Sequence, residues 1–298
     1  MTDSGYIQRL ARDPRHFQIA ALGALLVFGV SSGAFGIAPL QIAAIFATAL
    51  TVQFLGSFMS AMRFDPRSAI VTSLLLALLL RADALAPLMI AAAIGVGSKF
   101  TMRLYNKHIF NPANIGIVAL LLLSQSSMPH SDIAAAWTPS GEFGGAIWLA
   151  ALIAGAGLII TYRAARIDAP LIFLGAYAAL IVANALWLGE PLAIPLMRLQ
   201  DGVLILFAFF MISDPKTTPD GAIARAVFAA GAALIAYVLA YHFHISDGVF
   251  YALAAMCVIR PIIERFDPAP QYRWGDPVTR PKFLARLTGA RPHTLPAE

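Results

Sequence analysis

The stretch FAFFMISDPKTTPDG, Phe207–Gly221, decides how this chain is read. An apolar run ends at Ser213, a compact polar segment follows, and a second long apolar run begins at Ala222. The surrounding composition gives that break its meaning. The chain has 298 residues, of which 59% are hydrophobic and 12% charged. A soluble domain carries roughly 25% charged residues. Mean hydropathy is +0.74. Repeated apolar runs in such a chain predict several transmembrane helices. A polar break among them cannot face lipid, because each unsatisfied backbone group there costs several kcal/mol. Protein must cover it, or it must border water.

Ten apolar segments are expected, at 17–36, 38–62, 68–80, 84–98, 112–124, 145–162, 169–189, 200–212, 221–241 and 247–263. The third, fifth and eighth fall short of the ~20 residues that a straight crossing needs. With the N-terminus in the cytoplasm and the spans alternating, nineteen of the 21 Lys and Arg fall on the cytoplasmic side. Only Arg81 and Arg198 lie outside, and the connection at 125–144 has neither Lys nor Arg. This is the positive-inside pattern. It predicts both termini inside, in a bacterial inner (plasma) membrane. The division expected is a cytoplasmic N-terminus (1–16), a transmembrane domain (17–265) and a flexible basic cytoplasmic tail (266–298). The net charge of +5 is explained the same way, with lipid as the partner and no nucleic acid. The single cysteine, Cys257, excludes an internal disulfide, and neither a Cys-based zinc site nor a Cys-ligated cluster fits.

The break itself reads as a helix start. Asp214 before Pro215 is an N-cap followed by a proline that loses no hydrogen bond, and Thr218-Pro219 repeats the signal. Asn111-Pro112, opening the short fifth segment, is the same signature. Helix N-termini present free N–H groups and partial positive charge. The candidate binding residues are therefore Lys99, Lys107, Asn111, Pro112, Asn114, Ser213, Asp214, Lys216, Thr217 and Thr218, near the cytoplasmic face, for an anionic or acceptor-rich ligand. The plain alternative stays open: Asp-Pro and Asn-Pro are ordinary turns, and lysines at a cytoplasmic face follow the charge rule. No catalytic motif stands out, the six histidines are scattered, no metal site is expected, and carboxylates within the spans are too few for an obvious ion relay. Arg81 to Lys99 and Arg198 to Lys216 are equal intervals of 18 positions, which fits an internal duplication.

KHIFNPANIG, Lys107–Gly116, together with FFMISDPKTTP, Phe209–Pro219, resembles one family. It is the membrane subunit shared by the sodium-translocating NADH:quinone reductase (NqrB) and the Rnf electron-transport complex (RnfD). The resemblance covers roughly 60–265. It implies an all-α bundle of two five-helix repeats with broken or short helices, similar to urea transporters, and other subunits of a membrane redox complex as partners. Relatives with covalent FMN carry it on the threonine of a Ser-Gly-Ala-Thr motif. That motif is absent here; the corresponding loop holds Thr138 in Trp-Thr-Pro, so covalent FMN does not carry over. A non-covalent flavin, riboflavin or FMN, does fit the resemblance. The chain is similar to a short stand-alone branch that includes the UnbU-like proteins. Three functions follow: a redox membrane subunit coupled to ion movement, a small-solute transporter or channel, or a cofactor-free membrane scaffold.

Overall fold

A computed structural model describes residues 13–33, 36–104, 107–126, 136–137, 147–272 and 274. Among them the chain forms α1 (Arg15–Ser31), α2 (Pro39–Met59), α3 (Arg67–Leu79), α4 (Leu85–Thr101), α5 (Pro112–Ser126), α6 (Ile147–Arg163), α7 (Asp168–Leu188), α8 (Ala193–Leu199), α9 (Gly202–Phe210), α10 (Ala222–Tyr241) and α11 (Gly248–Ile263). Two short antiparallel pairs complete it: β1 (Arg81–Ala82) with β4 (Ala136–Trp137), and β2 (Arg103–Leu104) with β3 (Lys107–His108). The fold is mostly helical, as expected. Each of the ten apolar segments carries one helix, and α8 is an addition. It precedes α9 across a 48° bend, and the two together form one broken apolar unit.

Three helices are long and apolar enough to cross a membrane alone: α2, α7 and α10. At 1.5 Å per residue, the 13 residues of α3 reach about 20 Å, short of a ~30 Å hydrocarbon layer. The long helices also bury little: 22% of the most apolar window in α2 and in α7. Phe54, Phe58, Leu171, Leu186 and Trp187 stand exposed on them. A helix apolar on all sides and covered by so little protein needs lipid for its remaining surface.

Packing partners recur along the chain. In the first part α1 packs on α3, α2 on α3 and α4, and α4 on α5. In the second, α6 packs on α9, α7 on α9 and α10, and α10 on α11. The equal Arg-to-Lys intervals do not follow this pattern. One runs from β1 into the last turn of α4, the other from α8 past the end of α9, and α4 packs in the manner of α10.

Small residues set the closest approach. A Cβ on Gly116 would meet the Ala91 carbonyl oxygen at 2.5 Å, and one on Gly95 would run into the Pro112 carbonyl. Glycines at these crossings let α4 and α5 pack backbone to backbone. That contact fixes where the start of α5 sits, and with it Asn111.

A polar site between two chain breaks

Asn111 begins the site. Its Oδ1 accepts the N–H groups of Ala113 (3.1 Å) and Asn114 (3.2 Å), so it caps α5 ahead of Pro112. Its Nδ2 turns the other way and donates to the Met211 carbonyl (3.3 Å) and to Asp214 Oδ2 (3.4 Å), 103 residues along the chain. The two breaks therefore meet. Asn114 is fully buried and donates to the Phe250 carbonyl at 3.0 Å, tying α5 to α11.

The second break differs from the sequence expectation in one respect. No helix starts at Asp214. The Asp214 carbonyl accepts the N–H groups of Thr217 and Thr218 and the Thr218 hydroxyl, while its Oδ1 accepts the Lys216 N–H at 3.0 Å. These bonds close a turn. Pro219 then ends it, since the residue before a proline is pushed out of the α region. The helix begins only at Ala222, and its first N–H groups at Ile223 and Ala224 are capped by Asp267 Oδ2 (2.8 and 3.0 Å). Ser213 donates back to Phe209, and Thr217 and Thr218 are fully buried.

The three lysines separate. Lys107, on β3, donates to Asp220 (2.8 Å), Glu264 (3.0 Å) and the Thr218 carbonyl (3.0 Å). Lys216 donates to the Tyr272 carbonyl at 3.0 Å. Lys99 is buried on α4 and donates to Gln53 and Ser68. None is held beside Asn111 and Asp214 as a free cation for an anionic ligand.

Two residues outside the expected set organise the site. Arg260, 1% exposed and just ahead of Pro261 in α11, donates to the carbonyls of His108 (3.2 Å), Lys216 (3.0 Å) and Thr217 (3.4 Å). It pins both breaks at once. His108 Nε2 lies 3.8 Å from Asp214 Oδ2, in Coulomb contact but short of a hydrogen bond. Burial holds the imidazole below its ordinary value against the pull of Asp214. Burial also pushes the Asp214 carboxyl up, but His108 and the Lys216 N–H outweigh it and leave the carboxylate below its usual range. In the sequence Arg260 shows only as an arginine near the end of an apolar run, four residues before Glu264, which the charge rule already explains.

Ion pairs frame the same end of the bundle. Asp13, Arg15, Asp65 and Arg67 form a closed ring at 2.6–3.0 Å. Burial raises the Asp65 carboxyl, yet the Arg67 and Arg15 guanidiniums bring it down to about 2. Arg166 joins Asp220 at 2.9 Å, and Arg225 joins Asp168 at 2.7 Å. The residues just after α11 fold back onto this end: the Tyr272 N–H donates to Asp220, and Trp274 lies under the Arg15 guanidinium at 4.7 Å. Residues 275–298, the rest of the expected tail, lie outside the described residues.

Between the breaks is a cavity of about 60 Å³, walled by Arg15, Ser68, Asn111, Thr161, Asp214 and Trp274 among others. By volume it accommodates roughly four waters.

Residues 12–272 match the NQR2, RnfD, RnfE family. The chain belongs to that family. It is 28% identical over 291 residues to a subunit of a proton-translocating ferredoxin:NAD(+) oxidoreductase complex of Clostridium ljungdahlii, an alignment covering 83% of this chain and 87% of the relative. It is 31% identical over 130 residues to a subunit of an ion-translocating oxidoreductase complex of Escherichia coli (strain K12), covering 43% of this chain and 37% of that relative. KHIFNPAN and FFMISDP, the segments that carried the resemblance, are the two that meet at Asn111 and Asp214.

The cavity can be tested against a non-covalent flavin. The amide and carboxylate edges of Asn111 and Asp214 suit the polar edge of an isoalloxazine ring. The volume does not, since sites for ligands of that size are several hundred Å³. As packed, with Trp274 and Arg15 in its wall, the cavity excludes the ring. Thr138, considered above against the Ser-Gly-Ala-Thr motif, lies outside the described residues.

Proposed function

We propose that this chain is the membrane-embedded subunit of an ion-translocating electron-transfer complex, and that its contribution is the polar site where the two breaks meet. The observation that carries the reading is the Asn111–Asp214 contact inside an apolar helical bundle, in a chain of this family. Residues with backbone broken at membrane depth and covered by protein line sites in transporter-type folds. Here the groups facing water are a carboxylate, an amide, a guanidinium and hydroxyls, which suit a hydrated cation or a proton and not an apolar solute.

The proposal extends to ten crossings in two five-helix repeats, urea-transporter-like, with both termini on the cytoplasmic side of an inner membrane. The recurring packing of α1–α5 and α6–α11 supports the repeats, and the nineteen cytoplasmic Lys and Arg support the orientation. It also includes the absence of covalent FMN, since no Ser-Gly-Ala-Thr occurs. Riboflavin or FMN held non-covalently belongs to it only in a form where Trp274 and Arg15 have moved from the cavity wall.

The test is purification of the tagged full chain from its own host in mild detergent. Companion subunits carrying flavin or iron–sulfur absorbance are the expected result. A chain that emerges alone and colourless, from membranes in which such companions are present, would overturn the reading. The size of the cavity favours one second reading, a channel for a water-sized solute. Solute flux into liposomes holding the chain alone would favour it.

A further inference from the structure

Lys99 is a buried cation that the site between the breaks does not use. It lies one turn inside the end of α4, 8% exposed, and both acceptors of its ammonium group are neutral: Gln53 Oε1 and, at 3.2 Å, Ser68 Oγ. Gln53 is itself buried and continues to Ser57 at 3.2 Å. Among the described residues no carboxylate lies within ion-pair distance of Lys99. A permanent cation in a membrane helix is normally paired, because burial disfavours the charged form. An amine whose partners are an amide oxygen and a hydroxyl is served in either protonation state, since both acceptors can turn and the serine can donate in return.

Ser68 gives this amine an outlet. Its side chain bonds Lys99, and the residue also walls the cavity between the breaks. Across that cavity stand Arg15, Asn111, Thr161 and Asp214. Ser68 therefore stands between Lys99 and a cavity large enough to hold water.

We propose that Lys99 is a proton-loading group of the membrane domain, exchanging its proton with cavity water through the Ser68 hydroxyl. In the outward step Nζ gives a proton to Ser68 Oγ as that hydroxyl passes its own proton to water. Lys99 is left a neutral amine, and the reverse step reloads it. The charged and titratable groups that face Lys99 are Asp65 and Asp214, which attract its charge, and Arg15 and His108. No residue on α2 that touches Lys99 is charged. The inference rests on the ion-translocation reading and names the proton as an ion handled at this point.

The chain contains only four lysines, Lys99, Lys107, Lys216 and Lys282, so nitrogen-15 magnetic resonance of the lysine-labelled full chain in lipid vesicles can assign each by substitution. Lys99, identified by its loss in Lys99→Met, should show both an ammonium and an amine form whose ratio changes reversibly with pH. Lys107, which donates to two carboxylates, is assigned by its own substitution for comparison. Ser68→Ala, which removes one oxygen, should keep the fold and slow deuterium exchange at Lys99. A Lys99 signal that stays ammonium throughout, or exchange unaffected by Ser68→Ala, would overturn the inference. Electron-donor-driven ion uptake, measured on the same variants in host vesicles, separates the two levels. Uptake with a non-titrating Lys99 removes this inference and leaves the translocation reading standing. A titrating Lys99 in vesicles without uptake makes it an idle base and overturns the loading role.

Discussion

Replacing Asn111 separates the two things that residue does. Asn111→Ala removes the α5 cap, worth about 1 kcal/mol. It also takes one of two donors from the fully buried Met211 carbonyl, which keeps the Asp214 N–H at 3.3 Å. Loss of one long bond at a carbonyl that keeps another donor costs about 0.5–1 kcal/mol. The 3.4 Å contact to Asp214 adds little more, since that carboxylate keeps the Lys216 N–H. The total is about 1.5–2 kcal/mol. Asn111→Ser retains an oxygen that can cap but cannot reach Met211, so it should lose only the cross-break part, about 0.5–1 kcal/mol. Asn111→Ser combined with Asp214→Ala should show a coupling of about 0.5–1 kcal/mol. Unfolding in mixed micelles across a range of denaturing detergent measures all four. A serine variant as stable as the parent, with an additive double variant, would mean that the two breaks merely lie side by side and that their bonds hold nothing.

Three further outcomes are expected. Gly116→Val should prevent α4 and α5 from closing and lower stability by about 1–3 kcal/mol, because even a Cβ there meets the Ala91 carbonyl; an unchanged unfolding midpoint would mean that the helices are not in backbone contact. Asp65→Asn tests the ring of ion pairs. The Asp65 carboxyl is held down at about 2 in the folded chain, so its contribution is present above the ordinary carboxylate value and fades as pH falls from about 4 to 2. With that side chain 34% exposed, the difference between parent and variant should be only about 1 kcal/mol at neutral pH and vanish near pH 2, whereas a gap constant with pH would contradict the assignment. Finally, the denatured chain co-expressed with a flavin-attaching enzyme should give no fluorescent band in a gel; a band lost in Thr138→Val would identify Trp-Thr-Pro as an acceptor.

The helices were legible in the sequence because their signals are local. Apolar runs bounded by charges and prolines placed ten of them, and the Asn111 cap followed from the residue before Pro112. The meeting of Asn111 and Asp214 came from a non-local constraint that is still readable: polar breaks in an apolar chain must be covered, and few surfaces can do it. What failed to show was of two kinds. The turn at Asp214 looks like a helix start because Asp-Pro serves both, and only the Thr217 and Thr218 bonds with Pro219 decide between them. Arg260 was hidden because an arginine near the end of an apolar run already satisfies the charge rule. Its real partners, three carbonyls on two distant breaks, leave no local pattern. The Lys99–Gln53–Ser68 cluster was concealed likewise, with one residue on each of α2, α3 and α4.

The most direct test is ion uptake by sealed inside-out membrane vesicles of the host, driven by an added electron donor. The account expects uptake that disappears when this chain is deleted, returns with the parent chain, and returns only weakly with Asn111→Ala/Asp214→Ala present at parental amounts. Uptake undiminished by the deletion would contradict it.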